Sequence, residues 1–185
     1  MARNGDRRWA VTLVIVLVVA LGAMFGVAGL RLAQMRNVPM AAPRAQPVQG
    51  AGPTALEVST DAWAHPSAPI VQDVLTRYFD AINTKNYQAW ASTVTPALVS
   101  QQPESTWRQG YASTTDGTIR VSRIDEFGPG KLVALVSYVS VQRPEDGPDG
   151  LKAARICWRA AFPLVGNPPV IDMGKPGSVL LRGAC

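Results

Sequence analysis

The stretch "LTRYFDAINTKNYQAW", residues 75–90, has the clearest structural pattern in this chain of 185 residues. Its apolar residues and those just upstream recur at helical spacing in one broad stripe, which comprises Ile70, Val71, Val74, Leu75, Tyr78, Phe79 and Ile82. The polar segment 83–86 interrupts the stripe, and Asn86 is placed to cap a short second helix that bears Tyr87 and Trp90. The stretch therefore predicts two consecutive helices that bury one face.

Capping signals mark the starts of these helices and of two further ones. Ser67 is placed to cap the first helix, with Pro69 in its first turn. Thr95 before Pro96 repeats that signal and predicts a brief third helix. A fourth helix is predicted over 103–113. The first half of the domain is thus expected to be helical.

After Asp116-Gly117 the pattern changes from helices to strands. Segments that alternate or are rich in β-branched residues predict four or five antiparallel strands, at 118–127, 131–142, 154–165, 170–174 and 178–182. Helices followed by a run of strands are typical of an α+β fold. We therefore expect helices packed on one face of a curved antiparallel sheet.

The strand predicted at 131–142 is apolar on both faces. Alternate positions give two sets: Val133, Leu135, Val139 and Val141 on one face, and Leu132, Ala134, Val136 and Tyr138 on the other. Helices can cover only one face, so the other must meet a cavity, a folded-over part of the sheet or a partner. We expect Tyr138 to lie on the face away from the helices.

An uninterrupted apolar run extends from Trp9 to Leu30 without a charged residue. As a helix it would be about 33 Å long, enough for a hydrocarbon core of about 30 Å. A cleaved signal peptide is the alternative, but its apolar region is usually shorter, and only "VAG" at 27–29 resembles a cleavage site. We predict an uncleaved transmembrane helix over 9–30 that contacts the lipid bilayer.

The segments on either side of this helix suggest its orientation. Three arginines lie in the short tail 1–8, which favours a cytoplasmic N-terminus. Residues 31–59 contain four prolines and little apolar periodicity, which predicts an extended linker. The domain at 60–185 is therefore expected outside the cytoplasm, on a single-pass protein of the cell membrane.

The positive charge of the chain lies mostly outside the predicted domain. Residues 1–59 contain six arginines and two acids, whereas residues 60–185 contain twelve basic and eleven acidic residues. Nucleic-acid binding requires basic residues concentrated on the folded part. The near-neutral domain therefore argues against nucleic acid as a partner.

The two cysteines, Cys157 and Cys185, are predicted to form a disulfide that ties the C-terminus to the sheet. Two unrelated thiols are the alternative. A metal site is not expected, because two cysteines and the single histidine, His65, do not complete a set of four ligands. No motif for a cofactor was found either.

The segment "YFDAINTKNYQAWASTVTP", 78–96, resembles the opening helices of the nuclear transport factor 2-like superfamily, a cone-shaped α+β fold. The helix and strands that follow come in the order that this fold uses, so the resemblance covers about 67–183. The anchor, linker and domain together are similar to exported single-pass proteins of actinobacteria. The layout is also similar to channel subunits of conjugation and type IV secretion machines.

The resemblance implies where catalytic residues would be found if the domain were an enzyme. Isomerase-like and cyclase-like members of the superfamily place an acid or a histidine and a tyrosine in the mouth of the cone, for removal of a proton next to a carbonyl. Here Asp80 or Asp125 would be the base, with Tyr78, Tyr111 or Tyr138 as the donor. The ordinary alternatives are a solvated helix face for Asp80, an ion pair with Arg123 for Asp125, and core packing for Tyr111.

Three functional hypotheses follow from the sequence. The first is a non-catalytic, membrane-anchored domain that binds a protein partner in a cell-envelope complex. The second is a domain that binds a small hydrophobic ligand, or an isomerase-like enzyme, using the interior of the cone. The third is a subunit of a conjugation or secretion channel. A deep pocket that holds a carboxylate near a tyrosine would favour the second.

Overall fold

The domain is an α+β structure in which helices pack on a mixed, open sheet of six strands. The computed structural model describes residues 49–174 and 179–185, which all fall within one compact unit of the chain. The predicted tail 1–8, the predicted transmembrane helix 9–30 and most of the predicted linker lie outside the described residues. Within those residues, no helix has the length and apolar character to cross a bilayer.

Five helices come before the long strands. They are α1 (Thr60–Trp63), α2 (Ala68–Asn83), α3 (Tyr87–Ala91), α4 (Pro96–Gln101) and α5 (Glu104–Tyr111). The predicted caps of α3 and α4 are confirmed, since the side chains of Asn86 and Thr95 accept hydrogen bonds from backbone N–H groups three residues later. Ser67 is the N-cap residue of α2 with a proline in the first turn, as predicted, but its backbone is not extended and its hydroxyl makes no capping hydrogen bond.

The sheet contains the five predicted strands and one more. Its strands are β1 (Glu57–Val58), β2 (Thr115–Gly128), β3 (Lys131–Val141), β4 (Arg155–Val165), β5 (Val170–Ile171) and β6 (Val179–Ala184). The order is β1-β2-β3-β4-β5, and β6 also pairs with β4. All pairs are antiparallel except β1 with β2, so the sheet is mixed rather than wholly antiparallel.

Residues 49–59, the end of the predicted linker, pack on the domain. The Thr118 hydroxyl donates to the carbonyl of Ala51, and the Thr118 backbone N–H donates to the carbonyl of Pro53, both at 2.7 Å. Ala51 itself is buried. The domain therefore begins before Thr60, although this stretch has no apolar periodicity to indicate it.

Tyr138 lies on the face of β3 that packs against the helices, so the expected position on the opposite face is wrong. Its ring centroid is 5.0 Å from that of Phe79 on α2. The other face is covered only in part. Val139 is fully buried, next to the site where residues 51 and 52 pass over Gly117, whereas Leu135 is 37% exposed.

Cys157 and Cys185 lie at disulfide distance, with Cα atoms 5.4 Å apart and a separation of 28 positions in sequence. This is the pairing that the sequence suggested. A bridge over a loop of this size stabilises the folded state by about 3 kcal/mol in the chain-entropy description. It holds the end of β6 against the central strand β4.

The close approach of the chain to Gly117 gives a test of how the N-terminal segment packs. A Cβ at this position would lie 2.5 Å from the Gly52 carbonyl oxygen and 2.8 Å from that of Ala51. We expect Gly117→Ala to lower the free energy of unfolding by about 2 kcal/mol, because backbone must move to admit the methyl group.

Gly183→Ala is the matched control, measured by the same denaturant titration. Gly183 lies in the same cross-strand row as Gly117, and a Cβ there meets no described atom within 4 Å. Its substitution should change stability by less than about 0.5 kcal/mol. Equal effects of the two substitutions would contradict the packing of residues 51 and 52 over Gly117.

Candidate functional site

A cavity of about 770 Å³ lies between the helices and the sheet. Side chains of α2 to α5 line one side of it, and side chains of β2, β3, β4 and β6 line the other. A volume of this size is in the range of ligand pockets, which is roughly 300–1,000 Å³. The helices that the opening stretch predicts thus form a wall of a pocket as well as a brace for the sheet.

Aromatic rings form much of the wall of the cavity. Eight lining residues are aromatic: Tyr78, Phe79, Trp90, Trp107, Tyr111, Tyr138, Trp158 and Phe162. Many of these rings contact one another; those of Tyr138 and Trp158 are stacked with centroids 5.6 Å apart and planes 7° from parallel. Mutual packing restricts the rings, so the wall is largely preformed.

A buried carboxylate, Asp116, faces this cavity from the start of β2. The side-chain amide of Asn83, the last residue of α2, donates to the Asp116 carbonyl at 3.0 Å and accepts from the Asp116 N–H at 2.7 Å. Register with β3 places Asp116 opposite Ser140. Asp116 is only 2% exposed. The two hydrogen bonds to Asn83 hold it where the end of α2 meets the sheet.

A short chain of hydrogen bonds orients the carboxylate. The indole N–H of Trp158 donates to Ser140 Oγ at 2.8 Å, and the Ser140 hydroxyl donates to Asp116 Oδ1 at 2.6 Å. Ser140 Oγ accepts the hydrogen bond from the indole N–H, and the serine hydroxyl proton points at the carboxylate. Among the described residues, no hydrogen bond reaches Asp116 Oδ2 and no ion pair includes Asp116.

Burial raises the pKa of Asp116 from 3.8 to about 6. The hydrogen bond from Ser140 and the charge of Lys85 act in the opposite direction and lower this pKa. Lys85 is itself engaged elsewhere, since its ammonium donates to the carbonyls of Ile82 and Thr114. Asp116 therefore changes its charge in the physiological pH range.

Three tyrosines, Tyr78, Tyr111 and Tyr138, supply hydroxyl groups to the cavity. Burial is the main cause that raises the pKa of each, to about 12 for Tyr111. The negative charge of Asp116 raises all three further. These hydroxyls stay protonated at neutral pH. Those of Tyr78 and Tyr111 hydrogen-bond to each other, so Tyr138 and one hydroxyl of that pair are available as neutral hydrogen-bond donors.

The acids proposed from the sequence lie elsewhere. Asp80 is exposed on α2, and Asp125 is half-buried on β2, where its Oδ1 accepts a hydrogen bond from Arg123 Nε at 2.8 Å in an ion pair. Neither lines the cavity, whereas Tyr138, Tyr78 and Tyr111 do. The site therefore brings together the three predicted tyrosines with an acid that was not predicted.

Asp116 was missed because Asp-Gly is a common turn signal, and the sequence analysis placed it at the boundary between helices and strands. In the structure both residues belong to β2, with Asp116 opposite Ser140 and Gly117 opposite Val139. The glycine is needed there for the passage of residues 51 and 52 rather than for a turn. That contact is distant in sequence and leaves no local signal.

A second acid, Asp146, lies at the cavity near the surface. Arg143 Nε donates to its carboxylate at 2.9 Å, and the Ser113 hydroxyl also contacts it. These contacts lower the pKa of Asp146, with the Ser113 hydrogen bond as the largest cause. In 49–174 and 179–185, no three or more His, Cys, Asp or Glu side chains are grouped so that they could hold a metal ion.

Comparison with known proteins adds no relative. No protein-family model, no curated protein and no solved structure matches the chain. A functional proposal for this chain therefore has to be argued from the cavity and its lining residues.

The raised pKa of Asp116 predicts how stability depends on pH. The folded state binds the proton more tightly than the unfolded chain, so the stabilisation is complete below pH 4 and is lost as pH rises through 6. Asn at this position cannot ionise. The stability of Asp116→Asn relative to wild type should therefore rise between pH 4 and pH 6, by up to about 3 kcal/mol.

Asp146→Asn is a control with the opposite sign, measured in the same chemical denaturation series. The pKa of Asp146 is lowered, so its stabilisation is present above about pH 4 and is lost on acidification. This variant should lose stability relative to wild type as pH rises from 3 to 5. An Asp116→Asn profile parallel to wild type would show that Asp116 is not buried as described.

Proposed function

We propose that the domain is a non-catalytic binding domain that takes a small, largely apolar ligand into the cavity between helices and sheet. The observation that carries the proposal is the cavity itself, about 770 Å³ in volume and lined by eight aromatic side chains. A preformed aromatic space is the usual form of a small-molecule site.

The polar groups of the cavity support binding of a ligand with one polar end. Asp116 and the tyrosine hydroxyls lie in an otherwise apolar lining, and the hydrogen bonds from Asn83 and Ser140 fix the acid in place. A few fixed polar groups in an apolar pocket orient a ligand. The apolar body of the ligand would then pack on the rings.

The cellular setting is proposed from the sequence. An anchor at 9–30 would hold the domain outside the cytoplasm, and the Cys157–Cys185 pair supports an oxidising compartment. Membership of the nuclear transport factor 2-like superfamily is likewise a proposal, supported by the order of helices and strands and by the cavity between them. Exposed Leu135 and Leu181 on the open sheet face support contact with a protein partner in an envelope complex.

Binding can be tested with indole, a neutral apolar probe, and the intact protein in detergent. Gly110 of α5 lines the cavity, and a Cβ there meets no described atom within 4 Å. The fold should therefore accept Gly110→Trp, while the new side chain occupies the cavity. We expect wild type to bind indole in calorimetric titration, and this variant to bind it at least tenfold more weakly.

Gln109→Trp is the matched control, because it places the same side chain on the exposed neighbouring position of α5. It should bind indole as wild type does, and partition of indole into detergent is the same for both variants. Absence of saturable binding by wild type, or equal loss in the two variants, would argue against a ligand site in the cavity.

An isomerase-like enzyme is the second candidate, favoured by the tyrosine hydroxyls that lie around a buried acid. Asp116, in place of Asp80 or Asp125, would take a proton from a carbon next to a ketone. The electron pair would move to the carbonyl oxygen, where a neutral tyrosine such as Tyr138 donates a hydrogen bond. Return of the proton to another carbon would complete the shift of a double bond.

Hydrogen–deuterium exchange tests this candidate. In D₂O, the intact protein should accelerate exchange at the carbon next to the carbonyl of a bound aryl ketone, as followed by NMR. Asp116→Asn should reduce the rate at least a hundredfold, since it removes the base, while Asp125→Asn should not. Equal exchange with wild type and Asp116→Asn would leave ligand binding as the function.

A further inference from the structure

The charged side chains that line the cavity are acidic. Its described lining includes two acids, Asp116 and Asp146, and no lysine, arginine or histidine. Asp146 already has a partner in Arg143, whereas Asp116 has none among the described ion pairs. An anionic ligand would meet repulsion in this space, and a cationic one would meet attraction.

The carboxylate of Asp116 can accept a further interaction. Ser140 donates to Oδ1, and no described donor reaches Oδ2. Lys85, whose charge lowers the pKa of Asp116, does not line the cavity and donates to two backbone carbonyls. A buried carboxylate with one hydrogen bond and no ion-pair partner is costly unless a positive group completes its surroundings.

The aromatic wall next to Asp116 also favours a cation. Phe79, Tyr138 and Trp158 form a continuous row, with ring centroids 5.0 and 5.6 Å apart. The faces of such rings carry negative potential and attract ammonium groups. Trp158 lies between Tyr138 and Arg182 of the neighbouring strands, and Arg182 Cζ is 5.9 Å from its ring centroid, so the protein already uses this ring to hold a cation of its own.

We propose that the ligand of the cavity is an organic cation, an ammonium group on an apolar body, with its positive group beside Asp116 and the aromatic side chains of Tyr138 and Phe79. This inference rests on the proposed ligand-binding function and names the chemical class of the ligand. A methylated or quaternary ammonium fits best, because it needs few hydrogen-bond donors or acceptors and gains most from ring faces.

The competing class is a neutral ligand that accepts hydrogen bonds. The hydroxyl of Tyr138 and one hydroxyl of the hydrogen-bonded pair Tyr78 and Tyr111 can donate to it. The buried side-chain nitrogen of Gln142, another lining residue, has no described partner. A protonated Asp116 would be a further donor. The two classes therefore differ in their response to pH: a cation needs the ionised acid, and a hydrogen-bond acceptor needs the protonated acid.

A pair of ligands of the same shape separates the two classes. Benzyl(2-hydroxyethyl)dimethylammonium is the cation, and 3,3-dimethyl-4-phenylbutan-1-ol is its neutral analogue, with carbon in place of nitrogen. Both are titrated calorimetrically into the intact protein in detergent. At pH 8 we expect the cation to bind at least tenfold more tightly than the analogue, because Asp116 is ionised.

The preference should disappear when the charge of Asp116 is removed. At pH 5 most of Asp116 is protonated, so the affinity for the cation should fall several-fold while that for the analogue does not fall. The other charged or titratable groups around Asp116 and the cavity are Lys85, Asp146, Arg182 and the three tyrosines. Asp116→Asn should bind the two ligands equally at pH 8, whereas Asp146→Asn should keep most of the preference.

Wild type alone decides the proposal if Asp116→Asn does not fold. Equal or tighter binding of the neutral analogue at pH 8 overturns the cation while leaving a ligand site in place. Binding of neither compound also overturns it, and the indole titration then shows separately whether the cavity binds ligands at all.

Discussion

The side-chain amide of Asn83 joins the two layers of this domain. It donates to the backbone carbonyl of Asp116 and accepts from its backbone N–H, at the point where α2 ends and the long strand β2 begins. The same bonds fix the direction of the Asp116 side chain toward the cavity. This contact therefore links the end of the helical wall to the start of the sheet and to the acid.

The interior beside this joint combines an apolar aromatic wall with an ionisable group. Trp158 and Ser140 supply one ordered hydrogen bond to Asp116, and Lys85 supplies charge from outside the lining. These interactions only partly offset the cost of burial, which is why the pKa is raised to about 6. A carboxylate with a perturbed pKa that lies in a cavity marks a candidate binding or reaction site.

Local patterns predicted much of the fold. The stripe from Ile70 to Ile82 gave α2, the caps at Asn86 and Thr95 gave α3 and α4, and alternation gave the five later strands. The strand β1 was not predicted because two residues in a proline-rich stretch have no periodicity. The face on which Tyr138 lies was not predictable either, since both faces of β3 are apolar and only tertiary packing distinguishes them.

The candidate site was predictable only in part, for the same reason. Its tyrosines lie on elements with a strong local pattern, and all three were identified. Asp116 depends on Asn83, Ser140 and the passage of residues 51 and 52 over Gly117, which are contacts between distant parts of the chain. Asp80 and Asp125 were considered because they lie near aromatic or strand residues in sequence, but the fold directs them away from the cavity.

The central claim is that Asp116 is a buried carboxylate facing a ligand cavity without an ion-pair partner. Its most direct test is the titration of the Asp116 side-chain carboxyl ¹³C resonance, assigned by comparison with Asp116→Asn. We predict a midpoint near pH 6 in the free protein, because burial raises this pKa. A midpoint near 3.8, the value of an exposed aspartate, would contradict the claim.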